Sequence, residues 1–220
     1  MGLLERREKE KDNRRKLILK SARTLFFARG FKNVTVDRIA KLSELGKGSI
    51  YLYFNSKEEI YAQVLLNDID KFHQQAFSLF QKNKAAVDSL FEFSYFYADF
   101  FLNDPELFRI LMTFMLHTDQ MNLSAEQYKD IIVAMRKTID LISNIFQFGI
   151  DSNEFPSSIN IKYNQFAIWG MLNGIISLHI FSGAENKRRE RIRSTIKSTL
   201  EIFIKGLEKD NEYLSLNIKK

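Results

Sequence analysis

The scarcity of helix-breaking residues is the feature that most constrains this chain. Its 220 residues include two prolines, Pro105 and Pro156, and nine glycines. Proline interrupts a helix because it lacks an N–H group and its ring clashes with the preceding turn. The chain is also 45% hydrophobic, which is enough to build a sizeable core. The sequence therefore predicts an all-α protein of about nine helices, joined mostly by short turns.

Local signals predict where several helices begin. Thr35 is a candidate N-cap for a short second helix, because its hydroxyl can accept a free amide of the first turn. A third short helix is predicted at about residues 47–53. Ser56 and Glu59 then form a capping box that opens a long fourth helix. Pro105 suits the first position of a later helix, where its missing N–H costs nothing.

Other segments predict breaks or irregular structure. Residues 5–16 are a mixed charge run, a pattern typical of a disordered segment or a frayed helix start. Gly30 is suited to end the first helix, since glycine readily adopts a positive φ. The longest loop is predicted at residues 149–158. Two final helices are predicted near 160–182 and 186–209, followed by a loose tail.

The net charge of +6 is unevenly distributed along the chain. Residues 1–60 hold 15 Lys and Arg against 8 Asp and Glu, a net charge of +7. The other 160 residues hold 18 against 19. Positive charge gathered in one region indicates a phosphate-binding surface. A merely solvated helix face is the alternative explanation of this charge.

The first 55 residues carry the pattern of a helix-turn-helix, in which two short helices are joined by a tight turn. The two helices must cross closely, and Ala40 supplies a small side chain at the crossing. Leu45, Ile50 and Phe54 can point inward from the third helix. The side chains left to face outward are Lys47, Ser49, Tyr51 and Tyr53.

About 45 residues, from Leu17 to Tyr61, resemble the DNA-binding domain of the tetracycline-repressor (TetR) family. The matching residues are Ile18-Leu19, Ala22, Leu25-Phe26, Gly30-Phe31, Thr35-Val36, Ile39-Ala40, Gly48-Ser49-Ile50-Tyr51-Leu52-Tyr53-Phe54 and Ser56-Lys57-Glu58. The turn departs from the family, since Ser43-Glu44-Leu45-Gly46 stands where Ala-Gly-Val-Ser is frequent. Glu44 in a left-handed turn position would cost about 1 kcal/mol relative to glycine.

The resemblance implies that residues 1–55 bind double-stranded operator DNA, with a charged arm over residues 1–12. The start of the third helix would enter the major groove, where lysine can donate to guanine O6 and N7. Phosphate contacts are implied at Thr35, Tyr53 and Lys57. The complete set of implied DNA contacts is Thr35, Val36, Lys47, Gly48, Ser49, Tyr51, Tyr53 and Lys57.

Simpler roles remain open for several of these basic and aromatic residues. Tyr51 can instead be a partly buried packing residue, and Lys57 can be an ordinary surface lysine. Arg14 and Arg15 either reach the minor groove as an arm or are solvated charges, and the second role is favoured.

The resemblance implies that residues 56–220 form a helical ligand-sensing and dimerisation domain. The last two helices carry an apolar seam and small residues that allow close helix packing. We therefore expect a homodimer, whose two-fold symmetry predicts a palindromic operator. The alternative is that both helices pack only within their own subunit. The residues expected at the dimer interface are Gly170, Gly174, Ser177, Ile192, Ile196, Leu200, Phe203 and Leu207.

Aromatic residues are concentrated between positions 91 and 114, and they can line a pocket for a small hydrophobic effector. A solid aromatic core is the alternative. Arg109 or His117 would supply a polar anchor for the ligand. The candidate lining residues are Phe96, Phe100, Phe108, Met112, Met115, His117 and Trp169.

Other functional classes find little support in the sequence. The chain has no cysteine, and its three histidines are scattered, so we expect no metal site, no cofactor and no enzyme. The most apolar stretch, residues 166–181, is too short and too polar for a membrane span, and a cytoplasmic protein is expected. A helical protein that binds DNA without sequence preference, or binds a membrane surface, is the remaining alternative. Tyr51 and Gly48 in the third helix argue against it.

Overall fold

The structure, a computed structural model, describes residues 2–79, 84–116, 122–181 and 185–208. Those residues form nine α-helices and no strand, which confirms the predicted all-α class. Short 3-10 turns lie at Phe31–Asn33 and Glu185–Lys187. The helices are α1 (Leu3–Arg29), α2 (Val36–Leu42), α3 (Lys47–Tyr51), α4 (Lys57–Phe77), α5 (Ala86–Asn103), α6 (Pro105–Leu116), α7 (Ala125–Asp151), α8 (Ile161–Phe181) and α9 (Arg188–Glu208).

The predicted helix starts are confirmed by their hydrogen bonds. The Thr35 hydroxyl accepts the Arg38 amide at 3.3 Å, and the Ser56 hydroxyl accepts the Glu59 amide at 3.0 Å. The Glu59 carboxylate accepts the amide of Asn55 at 2.6 Å, one residue before the expected Ser56 amide. Each hydroxyl satisfies an amide that the helix itself leaves without a partner.

The charged run at residues 5–16 is helical, which corrects the predicted disordered or frayed segment. It forms the first part of α1. The Glu10 carboxylate pairs with Arg14 at 2.5 Å, and the Asp12 carboxylate pairs with Lys16 at 2.6 Å. Opposite charges four residues apart stabilise a helix, and this spacing outweighs the polarity of the segment.

The predicted loop at residues 149–158 begins later than expected, because α7 continues to Asp151. Gly149 lies inside this helix beneath the buried ring of Phe155. A Cβ atom on Gly149 would lie 2.1 Å from Cδ2 of Phe155. The glycine is therefore required for close packing and does not end the helix.

Contacts within the chain group it into two compact units. The first contains Met1–Lys71 and Glu106–Met135, and the second contains Phe72–Pro105 and Arg136–Lys220. The contact-based units do not follow the predicted division between residues 55 and 56. One reason is that the start of α4 packs on α1, where Tyr61 meets Phe26 edge-on at 5.1 Å. The functional division into two domains stays a prediction.

The first unit has a core to which α1, α2, α3 and α4 all contribute. The side chains of Ile18, Ile39, Ile50 and Leu65 are fully buried. A buried carboxylate also joins α1 to α4, because Asp68 pairs with Arg23 at 2.6 Å. Tyr61 is buried here, and burial raises the pKa of its hydroxyl.

In the second unit, α5, α8 and α9 pack against one another. Three predicted dimer residues, Ile192, Ile196 and Leu200, are fully buried within the single chain. Their apolar stripe covers the chain's own core, so the prediction that they face a second subunit is wrong. In the described part of the chain, no helix has both the length and the apolar character that a membrane span needs.

Candidate nucleic-acid interface

The turn between α2 and α3 sets the angle at which α3 leaves the core. Glu44 adopts a positive φ of 55°, and the Leu45 amide donates to the Ala40 carbonyl at 2.9 Å. The buried Ser43 hydroxyl donates to the Ile39 carbonyl at 2.8 Å. Gly46 then caps α3 in an extended conformation. The left-handed position expected for Glu44 is therefore present, and local hydrogen bonds stabilise the turn around it.

Helix α3 buries one side and exposes the other. Ile50 is fully buried and Phe54 is 1% exposed, while Leu45 is half-buried. On the outer side Tyr51 is 48% exposed, and a Cβ atom on Gly48 would meet no atom within 4 Å. The burial of Ile50 and Phe54 and the exposure of Tyr51 agree with the predicted inward and outward sides of α3. Lys47 is exposed as well, whereas Ser49 and Tyr53 are half-buried.

Lys47, the first residue of α3, forms an ion pair with Asp37 of α2. Its ammonium lies 2.8 Å from the Asp37 carboxylate, and both side chains are more than half exposed. The hydrogen bond and the negative charge of Asp37 raise the pKa of Lys47. Water screens such an exposed pair, so a base or a phosphate can compete with Asp37 for the lysine.

The phosphate contacts implied by the resemblance lie at or close to helix starts in the same unit. Thr35 caps α2 and is exposed, and Val36 is half-buried beside it. Lys57 begins α4, where its ammonium donates to the Phe31 carbonyl at 3.1 Å and lies 4.1 Å from the centre of that ring. Lysine has three donors, so these contacts still leave hydrogens for a phosphate.

A groove beside the end of α3 brings Tyr53, a predicted phosphate contact, together with residues of α1 that were not in the predicted set of DNA contacts. Its volume is about 430 Å³. It lies where the first part of α1 approaches the residues that follow Tyr51. The sequence signal was present, because basic residues on α1 recur at helical spacing. The groove is lined by Arg7, Glu10, Lys11, Arg14, Leu52 and Tyr53.

The predicted effector-pocket residues fall into both units. Phe96 and Phe100 lie 6.0 Å apart between ring centres in the second unit, where both contact Phe72. Trp169 is half-buried in the same unit, and its carbonyl accepts the side-chain amide of Asn173. In the first unit Phe108 is buried, and Met112 and Met115 are half-buried. His117 lies outside the described residues.

A buried hydrogen-bond network accompanies the aromatic cluster of the second unit. The Tyr97 hydroxyl donates to Oδ1 of Asn173 at 2.8 Å. Burial raises the pKa of this hydroxyl, so it stays protonated as a donor. An open cavity of about 510 Å³ lies nearby, and Phe96 is the predicted pocket residue that lines it. The described residues contain no group of three histidine, aspartate or glutamate side chains that could hold a metal ion.

Three of the remaining predicted dimer residues lie on α8, a helix with several exposed apolar side chains. Gly170 and Gly174 are exposed with open space above them, and Ser177 is half-buried. Their exposed apolar neighbours on this helix are Tyr163, Phe166 and Leu178. On α9, Phe203 and Leu207 are half-buried.

Comparison with known proteins gives a consistent assignment of the N-terminal part. Residues 18–64 match the model of the family described as "Bacterial regulatory proteins, tetR family". The chain is 39% identical over 64 residues to the uncharacterized HTH-type transcriptional regulator YhgD of Bacillus subtilis. That match covers 29% of this chain and 34% of YhgD, so the likeness spans about a third of that protein.

A second relative matches over a longer stretch. The HTH-type transcriptional repressor NicS of Pseudomonas putida is 27% identical over 157 residues, which cover 71% of this chain and 73% of NicS.

The whole fold also resembles that of a solved structure. The transcriptional regulator FadR of Bacillus subtilis, in complex with stearoyl-CoA, superposes with a TM-score of 0.70 at 20% identity. The superposition covers 87% of this chain and 98% of that chain, and it shows a shared fold. The helix-turn-helix and these matches together show that residues 18–64 match the TetR family and that the chain is similar to known transcriptional regulators.

Proposed function

We propose that this protein is a homodimeric repressor that binds a palindromic operator and is released from it by a small apolar ligand. The main support for the proposal is that α3 is buried on one side and exposed on the other. Ile50 is fixed in the core, while Lys47, Gly48 and Tyr51 are exposed on the other side. A helix fixed on one side and polar on the other is the element that reads bases in the major groove. The proposed function involves no enzymatic step.

The proposed contacts divide into base recognition and positioning. Lys47 and Tyr51 would meet base edges, with Ser49 beside them, and Gly48 would let the backbone approach DNA. Thr35, Tyr53 and Lys57 would contact phosphates, which set the register without reading sequence. Val36 lies beside Thr35 at the same helix start and completes this surface.

The proposal of a homodimer rests on the apolar face of α8. Tyr163 is 72% exposed and Leu178 is 70% exposed in the single chain. Large apolar side chains gathered on one helix face mark an interaction surface. Gly170 and Gly174 lie on the same helix and would allow a second copy to approach closely. Phe203 and Leu207 of α9 are proposed at the edge of this surface.

Repression relieved by an apolar ligand is supported by two observations. NicS, a relative along most of the chain, is named as a repressor. FadR, which shares the fold, was solved with stearoyl-CoA. The aromatic cluster around Phe72 offers an apolar environment of the kind that such a ligand needs. We propose that the protein acts in the cytoplasm, where operator DNA would be found.

Fluorescence anisotropy tests the proposal. The purified chain is titrated into a labelled duplex taken from DNA flanking its own gene, and into a scrambled duplex of equal length, at two salt concentrations. Binding to the native duplex that is tens of times tighter supports a specific regulator. Equal and steeply salt-dependent binding to both duplexes would contradict sequence recognition. Release of the native duplex by a long-chain acyl compound would support the ligand class.

A further inference from the structure

The first part of α1 carries three cations on one helix face. Arg7, Lys11 and Arg14 stand at positions i, i+4 and i+7, which lie above one another on a helix surface. All three line the groove beside α3, together with Leu52 and Tyr53. The positive face of α1 therefore lines the same groove as the residues that follow the proposed recognition helix.

The groove is electropositive despite its one carboxylate. The Glu10 carboxylate forms an ion pair with Arg14 at 2.5 Å, so these two charges offset each other. Arg7 and Lys11 supply the remaining positive charge. Leu52 is 78% exposed at the groove and adds an apolar contact surface there. Cations beside an exposed apolar side chain suit a sugar-phosphate chain, which offers anionic oxygens and apolar sugar faces.

We infer that this groove, defined by Arg7, Glu10, Lys11, Arg14, Leu52 and Tyr53, binds the DNA backbone next to the bases contacted by α3. The inference rests on the proposed function, because Tyr51 of α3 directly precedes Leu52 and Tyr53. Arg7 and Lys11 donate to phosphate oxygens, and Leu52 packs on a deoxyribose. Their contribution adds affinity for any DNA sequence and no base preference.

The opposite face of the same helix supplies a matched control. At 3.6 residues per turn, Lys9 and Lys16 point about 180° away from the face of Arg7 and Lys11. Both control lysines are exposed, and neither lines the groove. Replacing either pair by glutamine removes two positive charges from the same helix. Lys16 also loses its pairing with Asp12 at 2.6 Å, and thermal melting reports that separate effect.

The test compares R7Q/K11Q with K9Q/K16Q in the 220-residue chain without a tag. Binding to the native flanking duplex and to its scrambled counterpart is measured by anisotropy between 50 and 200 mM salt. For R7Q/K11Q, we expect the slope of log K against log salt to become shallower by about 1.8, with both duplexes affected alike. The control pair should change the slope by less than about a quarter of that.

A third variant tests whether removing negative charge from the groove increases the affinity for DNA. Glu10→Gln removes the only carboxylate among the groove-lining residues, and it should tighten binding to both duplexes several-fold at low salt. Circular dichroism and thermal melting check that each variant is folded.

The possible outcomes separate the inference from the function on which it rests. Equal losses in the two double variants would indicate general electrostatics and would overturn the inference. If R7Q/K11Q keeps the wild-type slope of log K against log salt and still binds the operator, the groove does not bind the DNA backbone. The repressor proposal would then still stand. If the unmodified chain shows no preference for the native duplex, the proposed function itself fails.

Discussion

The Lys47 ammonium lies 2.8 Å from the Asp37 carboxylate, which joins the first turn of α3 to the first turn of α2. The pair orients the lysine in the free protein, and it also places a negative charge on the surface proposed to meet DNA. Binding of DNA would therefore require Lys47 to exchange Asp37 for a base or a phosphate.

Removing the charge of Asp37 should strengthen DNA binding. In Asp37→Asn, Lys47 loses a competing partner and the surface loses a repulsive charge. We expect several-fold tighter binding to the native duplex at low salt, with a smaller gain at high salt because salt screens the repulsion. Anisotropy measures both values, and Asp140→Asn, an exposed change in the second unit, is the control. Weaker binding by Asp37→Asn would mean that the pair is needed to position Lys47.

Tyr51 should contribute to specific binding more than to non-specific binding. Tyr51→Ala removes a half-exposed side chain from the outer side of α3. We expect a loss of about 1–3 kcal/mol on the native duplex and little change on the scrambled one. Tyr128→Ala, an exposed tyrosine of α7, is the control, and competition anisotropy gives both affinities. An equal loss on both duplexes would assign Tyr51 to packing.

Leu178 should be required for dimer formation. It is 70% exposed on α8, and Leu178→Glu would place a charge in the proposed interface. We expect the wild-type chain to sediment as a dimer and this variant as a monomer in analytical ultracentrifugation. Leu116→Glu, at a leucine that is 76% exposed on α6, should remain dimeric. A variant Leu178→Glu that stays dimeric would exclude this face.

Asp68 should stabilise the first unit through its ion pairs. Its side chain is 4% exposed between Arg23 at 2.6 Å and Lys71 at 3.0 Å. Asp68→Ala leaves a part-buried guanidinium without its carboxylate, which should lower the free energy of unfolding by about 3 kcal/mol. Urea unfolding measures the change, with Asp130→Asn, an exposed change in the same unit, as the comparison. A loss no larger than in Asp130→Asn would show that the buried pair adds no stability.

Replacing Gly149 even with alanine should lower the stability of the protein. In Gly149→Ala the added methyl would collide with the ring of Phe155 and lie 2.9 Å from Cβ of Ala86. We expect a loss of stability of about 1–3 kcal/mol. Gly206→Ala is the matched control, since a Cβ there meets nothing within 4 Å, and it should be neutral or slightly stabilising. Thermal melting distinguishes the two, and equal melting temperatures would contradict the packing argument.

Most of the helix boundaries could be predicted because their causes lie within a few residues. The hydroxyl groups of Thr35 and Ser56 cap the helices that follow them, and Pro105 begins α6. Gly30 adopts a positive φ where the sequence predicts the end of the first helix, and Glu44 adopts one where it predicts a tight turn. The outward side of α3 was also predictable, since burial of Ile50 and Phe54 determines which residues remain outside.

The partners of each helix face could not be predicted in the same way. The stripe of Ile192, Ile196 and Leu200 shows that one side of α9 is buried, but an apolar stripe does not specify whether its own chain or a second copy covers it. The packing of α5, α8 and α9 decides that their own chain does.

The sequence by itself therefore determined most of the helix boundaries, the caps at Thr35 and Ser56 and the exposed side of α3, because local hydrogen bonds and apolar periodicity act over short distances. Only the tertiary structure decided which distant residues meet. It paired Asp68 with Arg23, placed Phe155 over Gly149, and brought Arg7 and Lys11 beside Leu52. Such contacts depend on how helices cross, and crossing geometry arises from the packing of the whole core.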